Sequence, residues 1–236
     1  MAVGYNPRIV TDGLVLALDA GNTKSYPGSG STWTDLVQGI TFSSSGTQTP
    51  LEVKEGATSF AFNDSGYWES DSGDENVDMG GDCTLLMWVY CEDITVRSTI
   101  FEKAGVEYQS YQHEIAVTWE TNENFTWYSR YSPNYDSAAT TALTQNTWNL
   151  VGIKMSTGRT SSARTGFYSI NGSNWTSNYN SRSDTALLSG GAIRIGSGYA
   201  GAIESGNIAV VMCYEKMLTD AEVKQNFNAL RGRFGI

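Results

Sequence analysis

Short runs of alternating apolar and polar residues recur along the whole chain. They include GLVLALDA, CTLLMWVYC, HEIAVTWE, WNLVGIKM and NIAVVMCY, and each is bounded by Gly, Asn, Asp or Ser. Short runs with a period of two, separated by turn residues, are typical of antiparallel strands that pack as a sandwich. The pattern therefore predicts an all-β fold of two antiparallel sheets, without alternation of strands and helices.

Alternation also predicts which residues face the core. In HEIAVTWE the apolar residues Ile115, Val117 and Trp119 fall on one face, and polar residues dominate the other. The central run LLMWVY is instead apolar on both faces. A strand that is buried on both sides needs a cover, so we expect a loop or a neighbouring subunit outside that sheet.

One helix is indicated near the end of the chain, at about 219–231. Thr219 can cap it, and Glu222 three residues later completes a capping box. The apolar residues at positions i, i+4 and i+7 are Val223, Phe227 and Leu230. Such a stripe predicts an amphipathic helix that packs on an edge of the sandwich.

Composition and charge narrow the class of protein. The 236 residues include 13 Tyr, 7 Trp, 8 Phe and 25 Gly, which suits one large β domain rather than a helical one. The net charge of −10 and the scattered basic residues argue against nucleic acid as a partner. No segment resembles a signal peptide or approaches the ~20 apolar residues of a membrane span, so we expect cytoplasmic synthesis without a cleaved signal and no membrane partner.

The cysteines Cys83, Cys91 and Cys213 have no metal-ligand spacing, and three cannot all pair. Cys83 and Cys91 lie in one strand-like run, too far apart along it to bond. We predict buried free thiols, with a bridge between Cys91 and Cys213 on neighbouring strands as the open alternative.

Four short motifs occur in an order that is informative at the level of the fold. The order resembles that of the laminin-G-like branch of the concanavalin A-like lectin/glucanase superfamily. The matching positions are Trp88, Trp148 with Val151, Tyr168 with Asn171 and Gly172, and the segment from Gly201 to Glu222. The resemblance implies a concanavalin A-like jelly-roll sandwich at 13–236, including the C-terminal helix, preceded by an N-terminal arm at 1–12.

The opening IVTDGLVLALDAGNTKSYPGSGSTWTDL and the ending FNALRGRFGI resemble a narrower group. They are similar to stand-alone laminin-G-like proteins encoded by tailed bacteriophages, especially marine cyanophages. This resemblance implies a virion structural protein, such as a capsid decoration protein, that is made in the host cytoplasm. Its expected partners are other virion proteins of the capsid or tail, further copies of itself as a homo-oligomer, and host-surface glycan.

The residues do not favour catalysis. Glucan-cutting relatives carry E-x-D-x-E on one strand, whereas Glu114 and Glu120 here would lie roughly 20 Å apart along a strand. The only histidine, His113, follows Gln112. Adjacent residues of a strand point to opposite faces, so these two side chains could not share one catalytic cleft. We therefore expect a non-enzymatic protein, with a polysaccharide-degrading hydrolase or lyase of the same fold as the alternative.

A carbohydrate site would need aromatic rings and polar side chains on exposed loops or strands. Two aromatic stretches meet this description, NFTWYSRYSPNYD and NGSNWTSNYNSRSD. The carbohydrate-binding residues predicted from them are Tyr128, Arg130, Tyr135, Trp175 and Tyr179. The alternative is that the same rings close the rim of the sandwich or meet a neighbouring subunit.

The loop LDAGN offers Asp19 and Asn22, and it could hold a metal or simply end a strand. Calcium takes six to eight oxygen ligands, and two side chains fall short of that number. We predict a turn in which Gly21 supplies a positive φ and Asn22 bonds to nearby backbone. No cofactor and no metal site is predicted. Because laminin-G-like domains frequently bind calcium at the rim, a bound calcium ion is kept as an alternative.

Overall fold

The structure, a computed structural model, describes residues 7–46, 49–64, 66–71, 77–79, 81–93, 95–104, 113–121, 125–131, 134–139, 143–156, 165–177, 191–198 and 200–236. For residues 104, 113, 114, 128–131 and 134–139 it describes the backbone alone.

These residues form strands joined by turns, and one α-helix. The strands are β1 Leu14–Asp19, β2 Thr32–Thr34, β3 Thr41–Gly46, β4 Leu51–Lys54, β5 Ala57–Phe62, β6 Gly66–Ser70, β7 Cys83–Cys91, β8 Ser98–Ala104, β9 His113–Trp119, β10 Phe125–Tyr131, β11 Asn134–Ala139, β12 Trp148–Ser156, β13 Thr165–Ile170, β14 Thr176–Ser177, β15 Ile193–Ile195 and β16 Gly206–Tyr214. The helix α1 spans Asp220–Leu230, and a 3-10 turn follows at Arg231–Arg233.

The strands form two eight-stranded antiparallel sheets. Sheet A has the order β14-β13-β12-β7-β16-β5-β4. Strand β5 pairs with residues 206–208 of β16, and β1 pairs with residues 210–214 of the same strand. Sheet B has the order β11-β10-β9-β8-β15-β6-β3-β2. The predicted fold class, two antiparallel sheets with one short C-terminal helix, is confirmed.

The main core lies between the two sheets and is rich in aromatic rings. Ile115, Val117 and Trp119 are fully buried in it, as the alternation in β9 predicts. Phe125 and Trp127 of β10 join the same core. Stacked sheets bury alternate residues of each strand, so the residues between these positions belong to the opposite face of sheet B.

A second apolar cluster covers the outer face of sheet A. Trp88 of β7 is fully buried there, with its ring stacked on Phe234 at 4.0 Å between centroids and on Phe227 of α1 at 5.8 Å. The predicted cover therefore exists, and it is the chain's own C-terminal segment. The helix was expected on an edge, but it packs on the face, because the apolar outer side of β7 gives its stripe the larger surface to bury.

The helix begins as its sequence predicts. Thr219 accepts a hydrogen bond from the backbone N–H of Glu222, and the Glu222 side chain accepts one from the backbone N–H of Thr219. Lys216 bridges Glu222 and Asp12, with N–O distances of 2.7 and 2.6 Å. In the described part of the chain, no helix is long and apolar enough to cross a membrane.

The segment before β1 is fastened to the same outer face. The backbone N–H of Val10 donates to Oδ1 of Asn226 on α1 at 2.8 Å, and the Tyr214 hydroxyl of β16 donates to the Val10 carbonyl at 3.0 Å. Burial raises the pKa of Tyr214. Val10 is thus held between a strand of sheet A and the helix.

All three cysteines are buried free thiols, as predicted. The alternative of a bridge between Cys91 and Cys213 is wrong for a reason of register. β7 and β16 are neighbours, but Cys213 pairs with Leu85 and Cys91 pairs with Gly206. The six-residue offset separates the two sulfurs by roughly 20 Å along the strands.

Candidate functional site

The loop after β1 is an anchoring point for the C-terminal segment. Both oxygens of Asp19 accept hydrogen bonds from the Arg233 guanidinium, at 2.7 and 2.8 Å, and Arg233 also donates to the Thr58 carbonyl at 3.1 Å. Asn22 accepts a bond from the backbone N–H of Lys24 at 3.0 Å, as predicted for a turn. The carboxylate that could have suggested a cation site is therefore paired with an internal cation.

Gly21 has a different role from the expected one. It is absent from the glycines with positive φ, so the predicted reason for a glycine at this position is wrong. A Cβ on Gly21 would lie 2.4 Å from a terminal nitrogen of Arg233. Glycine is needed here because the guanidinium approaches the backbone closely. Among the described residues, no three His, Cys, Asp or Glu side chains form a group that could hold a metal ion.

The outer face of sheet B differs from that of sheet A because its residues are polar or small. We name it the polar face. Its described side chains are Ser43, Tyr67, Glu69, Thr99, Glu102, Ala116, Thr118, Thr126 and Arg194. Each lies next to residues that point into the main core, such as Trp68, Ile193 and Val117. The local alternation of the strands therefore places them outside.

A row of paired residues crosses this face from strand to strand. Its backbone partners, in order from β3 to β11, are Ser43, Glu69, Arg194, Glu102, Ala116, Tyr128 and Ser137. Neighbouring strands lie about 4.8 Å apart. The row thus places Arg194 between Glu69 and Glu102, and it continues through Ala116 to Tyr128 and Ser137.

The part of the row at β6 and β15 is accessible to solvent. The Arg194 and Glu69 side chains, which form an ion pair, have exposed fractions of 25% and 33%. The guanidinium carbon of Arg194 lies 5.3 Å from the centroid of the half-buried Tyr67 ring. Cation–π and ion-pair contacts together hold the arginine flat against this face.

The next part of the row, at β8, is covered. Glu102 is 8% exposed, and a Cβ on Gly198 would lie 2.2 Å from its Oε2 atom. The backbone N–H of Ala200 donates to the Thr99 hydroxyl at 2.9 Å. The glycine-rich segment after β15 therefore packs directly over Glu102 and Thr99, and Gly198 is required because any side chain would collide with the carboxylate.

A second acidic group lies beside Thr118 on the same face. The Thr118 hydroxyl donates to Oε1 of Glu120 at 2.6 Å, and Nε of Arg97 donates to the same oxygen at 3.0 Å. Thr118 is fully buried, as is Ala116. Small and hydroxyl-bearing side chains thus form the middle of the face, with charged groups around them.

Three of the predicted site residues lie on the strands of this face. Tyr128 pairs with Ala116 and Ser137, and Arg130 pairs with Tyr135. The structure describes the backbone of these three residues, which brings Arg130 and Tyr135 directly opposite each other. Tyr179 lies outside the described residues.

Trp175 lies on the other side of the sandwich. Its ring is half-buried against the outer face of sheet A, where Nζ of Lys154 lies 4.7 Å from its centroid. Its backbone N–H donates to Asp220 at the start of α1 at 2.9 Å. Burial lowers the pKa of Lys154. The structure therefore does not bring Trp175 together with Tyr128, Arg130 and Tyr135.

Sequence reasoning missed Tyr67, Glu69, Glu102 and Arg194. A usable local signal did exist, since Arg194 stands between two isoleucines, and Tyr67 and Glu69 flank a tryptophan. Alternation from these apolar residues would have placed all three outside the core. The pairing of Glu69 with Arg194, 125 residues later, has no local signal.

Two further features, an ion pair and a surface cavity, lie on the side of the sandwich that carries sheet A. Lys54 forms an ion pair with Glu92, and this bond holds the pKa of Glu92 below its ordinary value. A surface cavity of about 460 Å³ lies near both ends of the described chain. Its lining residues are Pro7, Asn228, Arg231, Gly232 and Ile236, which include no aromatic ring.

The sequence matches no protein-family model and no curated protein. Solved structures with a similar fold include Trypanosoma rangeli sialidase in complex with sialic acid, at a TM-score of 0.68 and 15% identity over 95% of this chain and 34% of that chain. They also include the binding domain of botulinum neurotoxin DC in complex with SialylT, at a TM-score of 0.67 and 15% identity over 93% of this chain and 52% of that chain. The binding domain of botulinum neurotoxin serotype D has a TM-score of 0.65, 14% identity, and coverage of 92% and 51%.

The chain spans between about a third and about half of the length of these proteins. At such identities the likeness concerns the fold alone. It agrees with the β-sandwich found here, which is consistent with the concanavalin A-like jelly roll that the order of motifs implies.

Proposed function

We propose that this chain is a non-enzymatic glycan-binding sandwich, that the polar face of sheet B is its binding surface, and that it works on the surface of a virion. The observation that carries the proposal is the solvent-accessible pair of Glu69 and Arg194 with the Tyr67 ring beside it. The pair lies in a register row that leads past the covered Glu102 and Ala116 to the backbone of Tyr128. It sets charged hydrogen-bonding groups beside an aromatic ring on a rigid sheet.

The chemistry of this row suits a sugar. Sugar rings stack on aromatic side chains, and their hydroxyl groups pair with carboxylates and guanidinium groups. Tyr67 supplies a half-buried ring beside Arg194, and Tyr128 occupies the far end of the row. Strands hold such groups more rigidly than loops do, which favours binding without a large ordering cost.

Two of the neighbouring structures are complexes, the sialidase with sialic acid and the neurotoxin binding domain with SialylT. Those ligands belong to those proteins. They support the proposal only in that proteins which contain a sandwich of this shape bind such ligands.

The virion location rests on the resemblance of the opening and ending segments to phage proteins. Those two segments contain Asp19 and Arg233, which bond to each other in the structure. We propose capsid decoration, or another exposed position on the particle, as a homo-oligomer in contact with other virion proteins. Mass spectrometry of purified particles tests this, and particles that lack the chain would refute it.

Glycan binding is tested with two single variants. Binding of the wild-type protein to a glycan array should be lost in Tyr128→Ala and retained in Trp175→Ala, because the two residues belong to opposite sheets. The oligomeric state of each variant is measured by light scattering. Unchanged glycan binding in Tyr128→Ala together with a lost oligomer would replace the proposed site with a subunit interface.

The rival function is a polysaccharide-degrading enzyme, and one observation favours it. Glu69 and Glu102 lie on strands that flank β15, so their backbones are about 10 Å apart, a spacing that inverting hydrolases can use. Against it, Glu69 is bonded to Arg194, and Glu102 packs under Gly198. Incubation with algal and bacterial polysaccharides separates the two functions, since reducing ends or unsaturated products would establish the rival.

A further inference from the structure

The polar face has a charge pattern that bears on which sugars it can take. Its described side chains, together with the adjacent Arg97 and Glu120, carry three carboxylates and two guanidinium groups, which leaves one negative charge in excess. The carboxylates are Glu69, Glu102 and Glu120. The chain as a whole carries a net charge of −10.

Both guanidinium groups already have carboxylate partners. Arg194 is paired with Glu69, and Arg97 is paired with Glu120 at 3.0 Å. An acidic sugar that contacted Arg194 would lie beside the Glu69 carboxylate and one strand away from Glu102. Like charges at such short separations repel each other, and the repulsion is stronger in the lower dielectric of a protein surface than in water.

Neutral sugars meet no such penalty. A carboxylate that is held by an arginine still has lone pairs that accept hydrogen bonds from hydroxyl groups. The hydroxyl-bearing Ser43, and the Tyr67 ring beside Arg194, add further contacts without charge. The part of the face around Arg194 and Glu69 therefore accepts a polyhydroxylated neutral ligand and repels an anionic one.

We infer that the ligand of the polar face is a neutral glycan, and that the ion pair between Glu69 and Arg194 excludes sugars that carry carboxylate or sulfate groups. This inference rests on the proposed glycan-binding function and adds the class of ligand. It separates this chain from the structurally similar sialidase, which was solved in complex with sialic acid.

The test compares neutral, sialylated, uronate-containing and sulfated glycans on one array. Wild-type protein should bind neutral glycans at least about tenfold more tightly than anionic ones, since 1.4 kcal/mol of repulsion corresponds to a factor of ten. Binding to the neutral glycan should also change little between low and high salt, because no ligand charge is screened.

Glu69→Gln is the informative variant, since it keeps the size of the side chain and removes the charge that occupies Arg194. It should gain about tenfold in affinity for anionic glycans. Glu215→Gln is the matched control, because Glu215 is exposed beyond β16 of sheet A and its removal changes the net charge equally. Urea denaturation of both variants verifies that they are folded.

The outcomes separate the inference from the function on which it rests. Tighter binding of anionic than of neutral glycans by the wild type would overturn the inference and leave glycan binding in place. So would a Glu69→Gln variant that gains no more affinity for anionic glycans than Glu215→Gln does. Absence of binding to every glycan by folded wild-type protein would overturn both.

Discussion

The two sheets present opposite kinds of outer face, and the difference separates a face that serves stability from the face for which we propose glycan binding. The outer face of sheet A carries Trp88, Leu150 and Tyr214, which are buried under α1 and the segment that follows it. The outer face of sheet B carries charged and hydroxyl groups in a register row. An apolar outer face requires a cover, whereas a polar one can meet a ligand.

The covered face should therefore be the costlier one to damage, and the largest effect is expected at Trp88. Trp88→Ala should lower the free energy of unfolding by about 3–5 kcal/mol, because it leaves a cavity where a fully buried ring stacks on Phe234. Urea denaturation measures this loss, and the slope of the unfolding free energy against urea concentration should stay unchanged. Tyr67→Ala is the matched ring deletion on the polar face, where we expect a loss of about 1 kcal/mol or less. Equal losses would mean that both faces serve stability.

A smaller effect is expected where the C-terminal segment is fastened. Arg233→Gln removes the two bonds to Asp19 and the bond to the Thr58 carbonyl, and it should cost about 1 kcal/mol, because the ion pair is partly exposed. Hydrogen exchange should then increase at the Phe234 amide, which is close to the lost anchor. Arg231→Gln is the control, since the described contacts of the Arg231 side chain are one hydrogen bond of 3.5 Å and a ring contact with Phe227 at 6.0 Å. Equal responses of the two variants would contradict the anchoring role of Asp19.

The smallest effect concerns pH at the rim of the covered face. The bond from Lys54 lowers the pKa of Glu92 below its ordinary value of 4.5, so the ionised carboxylate stabilises the fold above that pH. This contribution is lost as the pH falls through the lowered pKa. Glu92→Gln should cost up to about 1 kcal/mol at pH 7, and the difference from wild type should close in acid. Denaturation series from pH 7 to about pH 3 measure this difference in unfolding free energy. A difference that stays constant with pH would contradict this account.

Several strands were not recognisable from the apolar pattern, and they share a physical reason. β2, β3, β4, β11 and β14 were not predicted; β3 reads TFSSSG, and β14 spans two exposed residues at the edge of sheet A. β6 was also missed, although GYWES alternates around Trp68. Strands at or near sheet edges bury little apolar surface, so their residues are selected by pairing rather than by a hydrophobic period.

The candidate site could likewise be predicted from the sequence only in part. Alternation in β10 puts Trp127 on the core face, where it is buried. The same alternation assigns Tyr128 and Arg130 to the other face, and their role as binding residues stays a prediction. Trp175 fitted the same description of an aromatic residue on a polar loop, yet it packs beside Lys154 on sheet A. A local pattern does not distinguish a ring that faces solvent from one that meets a distant helix.

The sequence by itself determined the class of fold, the faces of the long strands and the capped helix, because a period of two and a capping box are local properties of the chain. Tertiary structure alone decided which segment covers the outer face of sheet A and which strands lie together. The ion pair between Glu69 and Arg194 joins residues 125 positions apart, and the bond between Asp19 and Arg233 joins residues 214 apart. Such contacts depend on the order of strands in each sheet, which follows from how the whole chain packs and not from any one segment of it.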